Sequence, residues 1–193
     1  MEMTVFETYL HAQAGISNEE IGKILSLAIP RSLRRNDFLL QEGQVCRYKT
    51  FVGKGLMRIY GTVADGSEHI LQFAPENTWV IDGESYDQQK PSVFNITAIE
   101  ASELLCWTKP DFDRLLAEIP LLSTFSRQLI TRNSHSSRQR LFSMLSGTPE
   151  EKYKEFVSNY PDLLSRLPLH MIAAYLGISL KTLTRIRHAQ LNS

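Results

Sequence analysis

Cysteine is scarce in this sequence. Cys46 and Cys106 stand 60 positions apart with no CxxC pair, which argues against a disulfide framework, a zinc site or an all-cysteine iron–sulfur cluster. Both read as small hydrophobes in a reducing compartment. No apolar run approaches the roughly 18 residues of a spanning helix. The opening Met1-Glu2-Met3-Thr4 lacks the basic stretch leading into an apolar one that marks a signal peptide. The expected location is the cytoplasm, with no membrane partner. Of the five histidines (His11, His69, His135, His170 and His188), only His69 lies in the strand-forming region, and one histidine cannot build a cupin-type metal centre. No nucleophile elbow, P-loop or dinucleotide fingerprint occurs. Cys106 beside Trp107 reads as core, so neither an enzyme nor a metal or cofactor site is expected.

Two further absences are local. No acidic residue occurs from Arg166 to Ser193, and no arginine between Arg58 and Arg114. The first belongs to an asymmetry hidden beneath a net charge of zero. Residues 1–120 hold 11 Lys/Arg against 17 Asp/Glu, and residues 121–193 hold 10 against 4. Halves of opposite charge imply two modules, the basic one facing a polyanion, although a solvated face also carries such charge. The 193 residues, 42% hydrophobic and 22% charged, suffice for one large domain or two small ones and exclude a disordered chain.

What is present changes texture along the chain. Phe6 to Leu27 is mixed helix and loop. From Asp37 to Thr108 short strands alternate with turns. They are Phe38–Leu40, Tyr48–Val52, Leu56–Thr62, Glu68–Phe73, Thr78–Ile81, Ser92–Ala98 and Glu103–Trp107, with Asp65-Gly66 a strong hairpin signal. Seven strands at this spacing predict an antiparallel barrel or jelly roll. At Lys109 the pattern turns helical, with Pro110 early and acids in the first turn. Pro120 starts a helix towards Leu145 with apolar residues at both ends and a polar middle, Thr131 to Arg140. A helix of about 25 residues spans roughly 37 Å. Such a helix either packs against a partner's copy or lies across its own barrel. Thr148-Pro149-Glu150-Glu151 is a capping box opening a further helix, which Tyr160-Pro161 breaks.

The most informative segment runs Leu167 to Arg187. Pro168 suits a first helical position, and Ile172, Ala173 and Leu176 form an apolar face. Gly177 can take the positive φ of a sharp interhelical turn. Ser179 can cap a second helix with Leu183 and Ile186 inward and Lys181, Thr182, Thr184, Arg185 and Arg187 outward. Small Ala173 four before the glycine, with apolar Ile178 and Leu183 one and six after it, meets the requirements of a helix-turn-helix. Cations and hydroxyls on the exposed face can bond phosphates and base edges. The plainer reading is a helical hairpin with a solvated basic face. The chain reads as α+β: a β-roll over residues 1–108, connecting and dimerisation helices over 109–146, and a helix-turn-helix domain over 147–193.

The sequence resembles the Crp/Fnr transcription regulators over roughly Leu33 to Leu191. The likeness is carried by Glu42-Gly43-Gln44, Phe51 through Tyr60, Arg138 to Leu141, Glu150 to Tyr153, Tyr160-Pro161 and Ile172 to Ser179, in the manner of short Bacteroidetes-type members. The resemblance implies a cyclic-nucleotide-binding-like jelly roll, a central helix that pairs two copies through residues such as Leu122, Phe125 and Leu129, and double-stranded DNA as partner, with RNA polymerase as a further one. It places Lys181, Thr182 and Arg185 against base edges, and Ser179 and Thr182 against phosphate. Lys181 stands where the family usually has an acidic residue, and a chain ending at Ser193 leaves no residues for the family's two-stranded wing.

At the effector pocket the match fails. Cyclic-nucleotide binders cradle phosphate with a Gly-Glu pair and, about ten positions on, an arginine. Aligning Ile81-Asp82 with the pair puts Ser92 at the arginine position, whereas aligning Gly83-Glu84 puts Phe94 there. Neither register supplies a cation, and Lys90 lacks arginine's bidentate fork. Ile81, Asp82, Gly83, Glu84, Ser92 and Val93 remain the candidate effector residues, with Gly83-Glu84 read as a turn, no cyclic AMP response expected and the effector unknown. Two alternatives stand beside the DNA-binding reading. One is a ligand-binding or interaction module of the same fold that does not engage DNA. The other is a haem- or metal-sensing regulator with His69, His135, Met57 or Cys106 as ligands.

Overall fold

Eight strands build two four-stranded antiparallel sheets in the computed structural model, which describes residues 3–191. The strands are β1 (Ile29–Leu33), β2 (Phe38–Leu40), β3 (Tyr48–Lys54), β4 (Met57–Thr62), β5 (Glu68–Ala74), β6 (Thr78–Val80), β7 (Asn95–Ala98) and β8 (Ser102–Thr108). One sheet has the order β1-β8-β3-β6 and the other β2-β7-β4-β5. The architecture is the expected jelly roll, but it is an open roll rather than a closed barrel, because each sheet keeps its own two edge strands. β1 is an additional strand. Its residues alternate neither in polarity nor in burial, so only its pairing with β8, Ile29 opposite Cys106 through Leu33 opposite Ser102, makes it a strand. Between β3 and β4, Gly55 has φ +96°, and a Cβ there would lie 2.4–2.7 Å from Ala101 and Ser102. No other residue fits that crossing.

The helices are α1 (Met3–Ala14), α2 (Asn18–Ser26), α3 (Gly83–Gln88), α4 (Lys109–Glu118), α5 (Pro120–Ser146), α6 (Pro149–Asn159), α7 (Leu169–Leu176) and α8 (Leu180–Leu191), with a 3-10 turn over Pro161–Ser165. No helix of the described residues is long and apolar enough to cross a membrane. The chain divides into two compact units, one comprising Met1–Thr62 and Leu71–Leu129, the other Val63–Ile70 and Ile130–Ser193.

The first unit packs around an aromatic cluster. Phe6, Phe51, Trp79, Trp107 and Phe112 stack with ring centroids 4.9–6.2 Å apart, mostly edge-on, as ring quadrupoles prefer. Trp107, fully buried, donates its indole N–H to the Ile24 carbonyl at 2.8 Å. The first turns of α5 enter this core: Leu122 is buried, Phe125 is buried against the Tyr9 ring at 5.9 Å, and Leu129 is half-buried. A second core of Leu40, Val52, Met57, Ile59, Ile96 and Cys106 lies between the sheets.

In the second unit Thr148 and Glu151 form the expected capping box, each side chain bonded to the other's backbone N–H. Tyr153, Phe156, Leu163 and Leu167 bury with Ile172, Leu176, Leu183 and Ile186. The apolar residues of α5 that remain exposed are Leu121, Ile130, Leu141, Phe142 and Leu145.

Candidate functional site

Helix α7 ends where the sequence demands it. Gly177 adopts φ 64° and ψ 34°, left-handed values that cost roughly 1–2 kcal/mol for a residue with a Cβ. The N–H groups of Gly177 and Ile178 both reach the Ala173 carbonyl. The turn then delivers Ser179, whose Oγ accepts the Thr182 N–H at 3.1 Å and bonds the Thr182 hydroxyl at 2.9 Å. Pro168 is the residue before the first turn of α7 rather than within it. Leu183 and Ile186 are buried, whereas Lys181 and Arg185 are exposed and Thr182, Thr184 and Arg187 are half-buried. α8 thus presents two cations beside the Ser179–Thr182 hydroxyl pair. Thr184 Oγ1 bonds back to the Leu180 carbonyl at 2.9 Å, so its hydroxyl already serves the helix.

Two arginines carry contacts that no local pattern could show. Arg185 Nη2 lies 3.0 Å from Glu150 Oε1, in the first turn of α6. Arg140, half-buried on α5, donates through Nη2 to the Ile70 carbonyl at 2.9 Å and the Tyr175 carbonyl at 2.8 Å. Its guanidinium also lies 3.9 Å from the Tyr175 ring centroid. Burial raises the Tyr175 phenol above its ordinary range, with the Arg140 charge acting the other way.

Of the candidate effector residues the structure bonds Asp82 to Ser92 and leaves Gly83, Glu84 and Val93 at the surface. Asp82, buried, caps α3 by accepting the Ser85 N–H and also accepts the Ser92 hydroxyl at 2.6 Å. Ser92 Oγ in turn accepts the Phe94 N–H at 2.9 Å. Ser85 Oγ donates to the Lys90 carbonyl and accepts the Cys46 N–H. Gly83 and Glu84 open α3 at the surface, so the expected turn is a helix start. Val93 is exposed and Ile81 half-buried. Ser92 stands outside the strand expected to begin there, because its side chain bonds occupy a loop that enters β7 only at Asn95.

A cavity of about 480 Å³ opens between the two sheets instead. Its buried wall includes Leu40, Thr50, Val80 and Ile96, while Arg31, Gln44 and Arg47 are exposed. None of the six candidate effector residues lines it. The sequence offered no periodic signal for it, since its walls come from β1, β2, β3, β6, β7 and the loop before β3. Two thiols lie in this region. Burial pushes Cys106 up, opposed by the Thr50 hydroxyl and the Arg31 guanidinium beside it. Burial also pushes Cys46 up. Met57 is buried with Cys106, whereas His69 and His135 are exposed. Among the described residues no group of three His, Cys, Asp or Glu is placed to hold a metal.

Residues 30–119 match the family described as the cyclic nucleotide-binding domain. A comparison with curated proteins finds no match. The fold is similar to that of solved structures. One is the Catabolite Activator Protein of Thermus thermophilus, at 23% identity and a TM-score of 0.60, covering 95% of this chain and 86% of that one. FixK2 of Bradyrhizobium japonicum aligns at 16% identity and a TM-score of 0.71, covering 86% and 84%. The c-di-GMP-responsive global regulator CLP of Xanthomonas campestris aligns at 11% identity and a TM-score of 0.76, covering 91% and 93%.

Proposed function

We propose that this chain is a sequence-specific DNA-binding transcription regulator of the Crp/Fnr type, not an enzyme, acting as a homodimer without control by cyclic AMP. The observation that carries the reading is the α7–Gly177–α8 unit. Its inner side is locked by Leu183 and Ile186, and its outer side offers Lys181, Arg185 and the Ser179–Thr182 hydroxyls. Such a face suits a major groove, where arginine bonds guanine at two points and hydroxyls bond phosphate. The structural likeness to proteins named as an activator and a global regulator supports it. RNA polymerase is the further partner that such a regulator implies.

Pairing of two copies follows from the task, because two recognition helices about 34 Å apart meet successive major-groove faces. Leu122 and Phe125 serve the chain's own core. The surface left for a partner is the later face of α5, where Ile130, Leu141 and Leu145 are exposed. Against cyclic AMP stands the chemistry of the segment from Ile81 to Phe94. It holds no arginine, and its buried acceptor, Asp82, is itself an anion bonded to Ser92. A phosphate brought there would meet a carboxylate, with only the exposed point charge of Lys90 to offset it, a costly arrangement.

Selection of bound duplexes from a random pool, followed by salt-titrated affinity on selected and random DNA, tests the reading. A regulator enriches a two-fold symmetric site and loses affinity steeply with salt. A flat response with no enriched site would favour the interaction module. Calorimetry with cyclic AMP should show no binding at micromolar concentration.

A further inference from the structure

We propose that Arg140 is a positioning residue for DNA reading: it fixes the α7–α8 pair to α5 and to the hairpin joining β4 and β5, and so sets the spacing of the two recognition helices when two copies pair. The inference rests on the dimeric regulator proposed above and deepens it. An α-helix leaves its last four carbonyls without intrahelical partners. In α7 the Ala173 carbonyl is taken by the N–H groups of Gly177 and Ile178. The Tyr175 carbonyl is taken by Arg140 Nη2 at 2.8 Å. The same nitrogen donates to the Ile70 carbonyl, 70 positions away in sequence, at 2.9 Å. Ile70 lies on β5, an edge strand of its sheet, where outer backbone groups lack a strand partner. A guanidinium suits this double duty, because its donors form a rigid fork and its plane stacks on aromatic rings. Tyr175 supplies the ring, with its centroid 3.9 Å from the guanidinium carbon. Phe156 of α6 packs against that ring at 5.5 Å.

The turn between α7 and α8 has its own lock, since Gly177 closes it and Ile172, Leu176, Leu183 and Ile186 are buried. What Arg140 adds is a fixed position against α5. Met144, one helical turn further on, lies on the same side of α5. A Cβ on Gly177 would stand 2.7 Å from its methyl. A thioether chain is flexible and gives way, whereas two charged hydrogen bonds from one fork hold an orientation. The hairpin Val63–Ile70, α5 beyond Ile130, α7 and α8 all belong to one compact unit. Leu141 and Leu145, on the same stretch of α5, are the exposed residues proposed to pair. The pairing surface and the reading helix thus meet at Arg140, and the separation of about 34 Å between half-site readers depends on it. Arg140 is half-buried and spends Nη2 on backbone carbonyls, so it acts through α8 and not on DNA itself.

The test compares the full parent chain with Arg140→Met and Arg140→Lys, at a low temperature where circular dichroism shows each chain folded. Affinity is measured on the selected two-fold duplex and on a duplex with one half-site scrambled. Arg140→Met should lose about ten-fold or more on the two-fold duplex and under about three-fold on the single half-site, because simultaneous engagement depends on geometry. The salt slope should not change. Arg140→Lys should show the same order, since one ammonium lacks the fork, and it decides if Arg140→Met does not fold. Equal loss on both duplexes would mean a merely stabilising arginine and would overturn the proposal, as would no loss on either. A salt slope lower by about one unit per subunit would overturn it too, by making Arg140 a phosphate contact. Hydrogen exchange gives a readout independent of DNA: residues 63–70 and 171–178 should lose protection together in the variants, while 153–157 keep theirs. Unchanged protection over 63–70 would sink the positioning role whatever the chain binds. Joint loss in a chain that binds no DNA would remove the regulator and leave the clamp.

Discussion

Arg185 on α8 is paired with Glu150 of α6 at 3.0 Å, across 35 positions of sequence. The pair is open to solvent, with side chains 69% and 52% exposed, so it adds little to stability. Under the proposed function the pair would matter for DNA, because the arginine offered to a base edge is held by a carboxylate that an incoming acceptor must displace. Glu150→Gln should leave the melting temperature unchanged while tightening binding to random duplex. The salt slope should steepen by about one unit per subunit. Affinity unchanged on every duplex would show that the pair has no bearing on DNA.

Arg185→Ala should cost roughly 1–3 kcal/mol per half-site on the selected sequence and relax preference at one base pair. Lys181→Ala should weaken selected and random duplex alike if its ammonium touches only phosphate. The comparison is made on both duplexes at two salt concentrations. Equal loss on both for Arg185→Ala would make that residue a backbone contact.

The turn residue permits a stability test. Gly177→Ala places a Cβ at φ 64° and 2.7 Å from the Met144 methyl. The methionine end can move, so the backbone strain dominates, and the expected loss is about 1–2 kcal/mol. Denaturant titration followed by circular dichroism measures it, and a loss of DNA affinity larger than the loss of stability would mean that α8 has shifted.

Arg140 ties two backbone carbonyls and a tyrosine ring together within one unit. Hydrogen bonds to charged groups contribute about 1.5–3 kcal/mol each, so Arg140→Ala should destabilise that unit by roughly 2–3 kcal/mol. Arg140→Lys should recover little of it, because a single ammonium lacks the planar fork. Chemical denaturation of the three proteins side by side checks the order.

The two ends of α5 should respond in opposite ways. Leu122→Ala and Phe125→Ala remove buried core and should cost about 2–5 kcal/mol. Aspartate at both Leu141 and Leu145, exposed by 60% and 80%, should leave the fold intact and shift the chain to monomer in light scattering. A parent chain that is monomeric at micromolar concentration would remove the homodimer.

Burial holds both thiols above their ordinary range, so neither is a thiolate at neutral pH. Alkylation of the native chain at pH 7.5 should label Cys46 and Cys106 at least ten-fold more slowly than the unfolded chain, as mass spectrometry would show. Rapid labelling of Cys46 in the folded protein would instead reveal an opening of the cavity wall on which it lies.

The parts of this protein legible in sequence are those whose physics is local. Thr148 and Glu151 lie three positions apart and close their own ring of hydrogen bonds, so four letters suffice to place a helix start. Gly177, Leu183 and Ile186 fall at spacings that a tight turn and a helical period impose, and the turn and the buried side follow. Where a residue's fate depends on distant chain, sequence misleads. The family resemblance puts Phe125 among the pairing residues of a central helix, yet α1 brings Tyr9 onto it and makes it core. β1 lacks a strand's alternation and exists because β8 hydrogen-bonds it. Asp82 and Ser92 stood ten positions apart in one of two open registers, and only the fold around α3 brought carboxylate to hydroxyl. Tertiary structure alone set Glu150 on Arg185, and it alone assembled Arg31 and Arg47 around an aliphatic cavity. Charge and apolarity at separate positions acquire chemistry only when packing makes them neighbours.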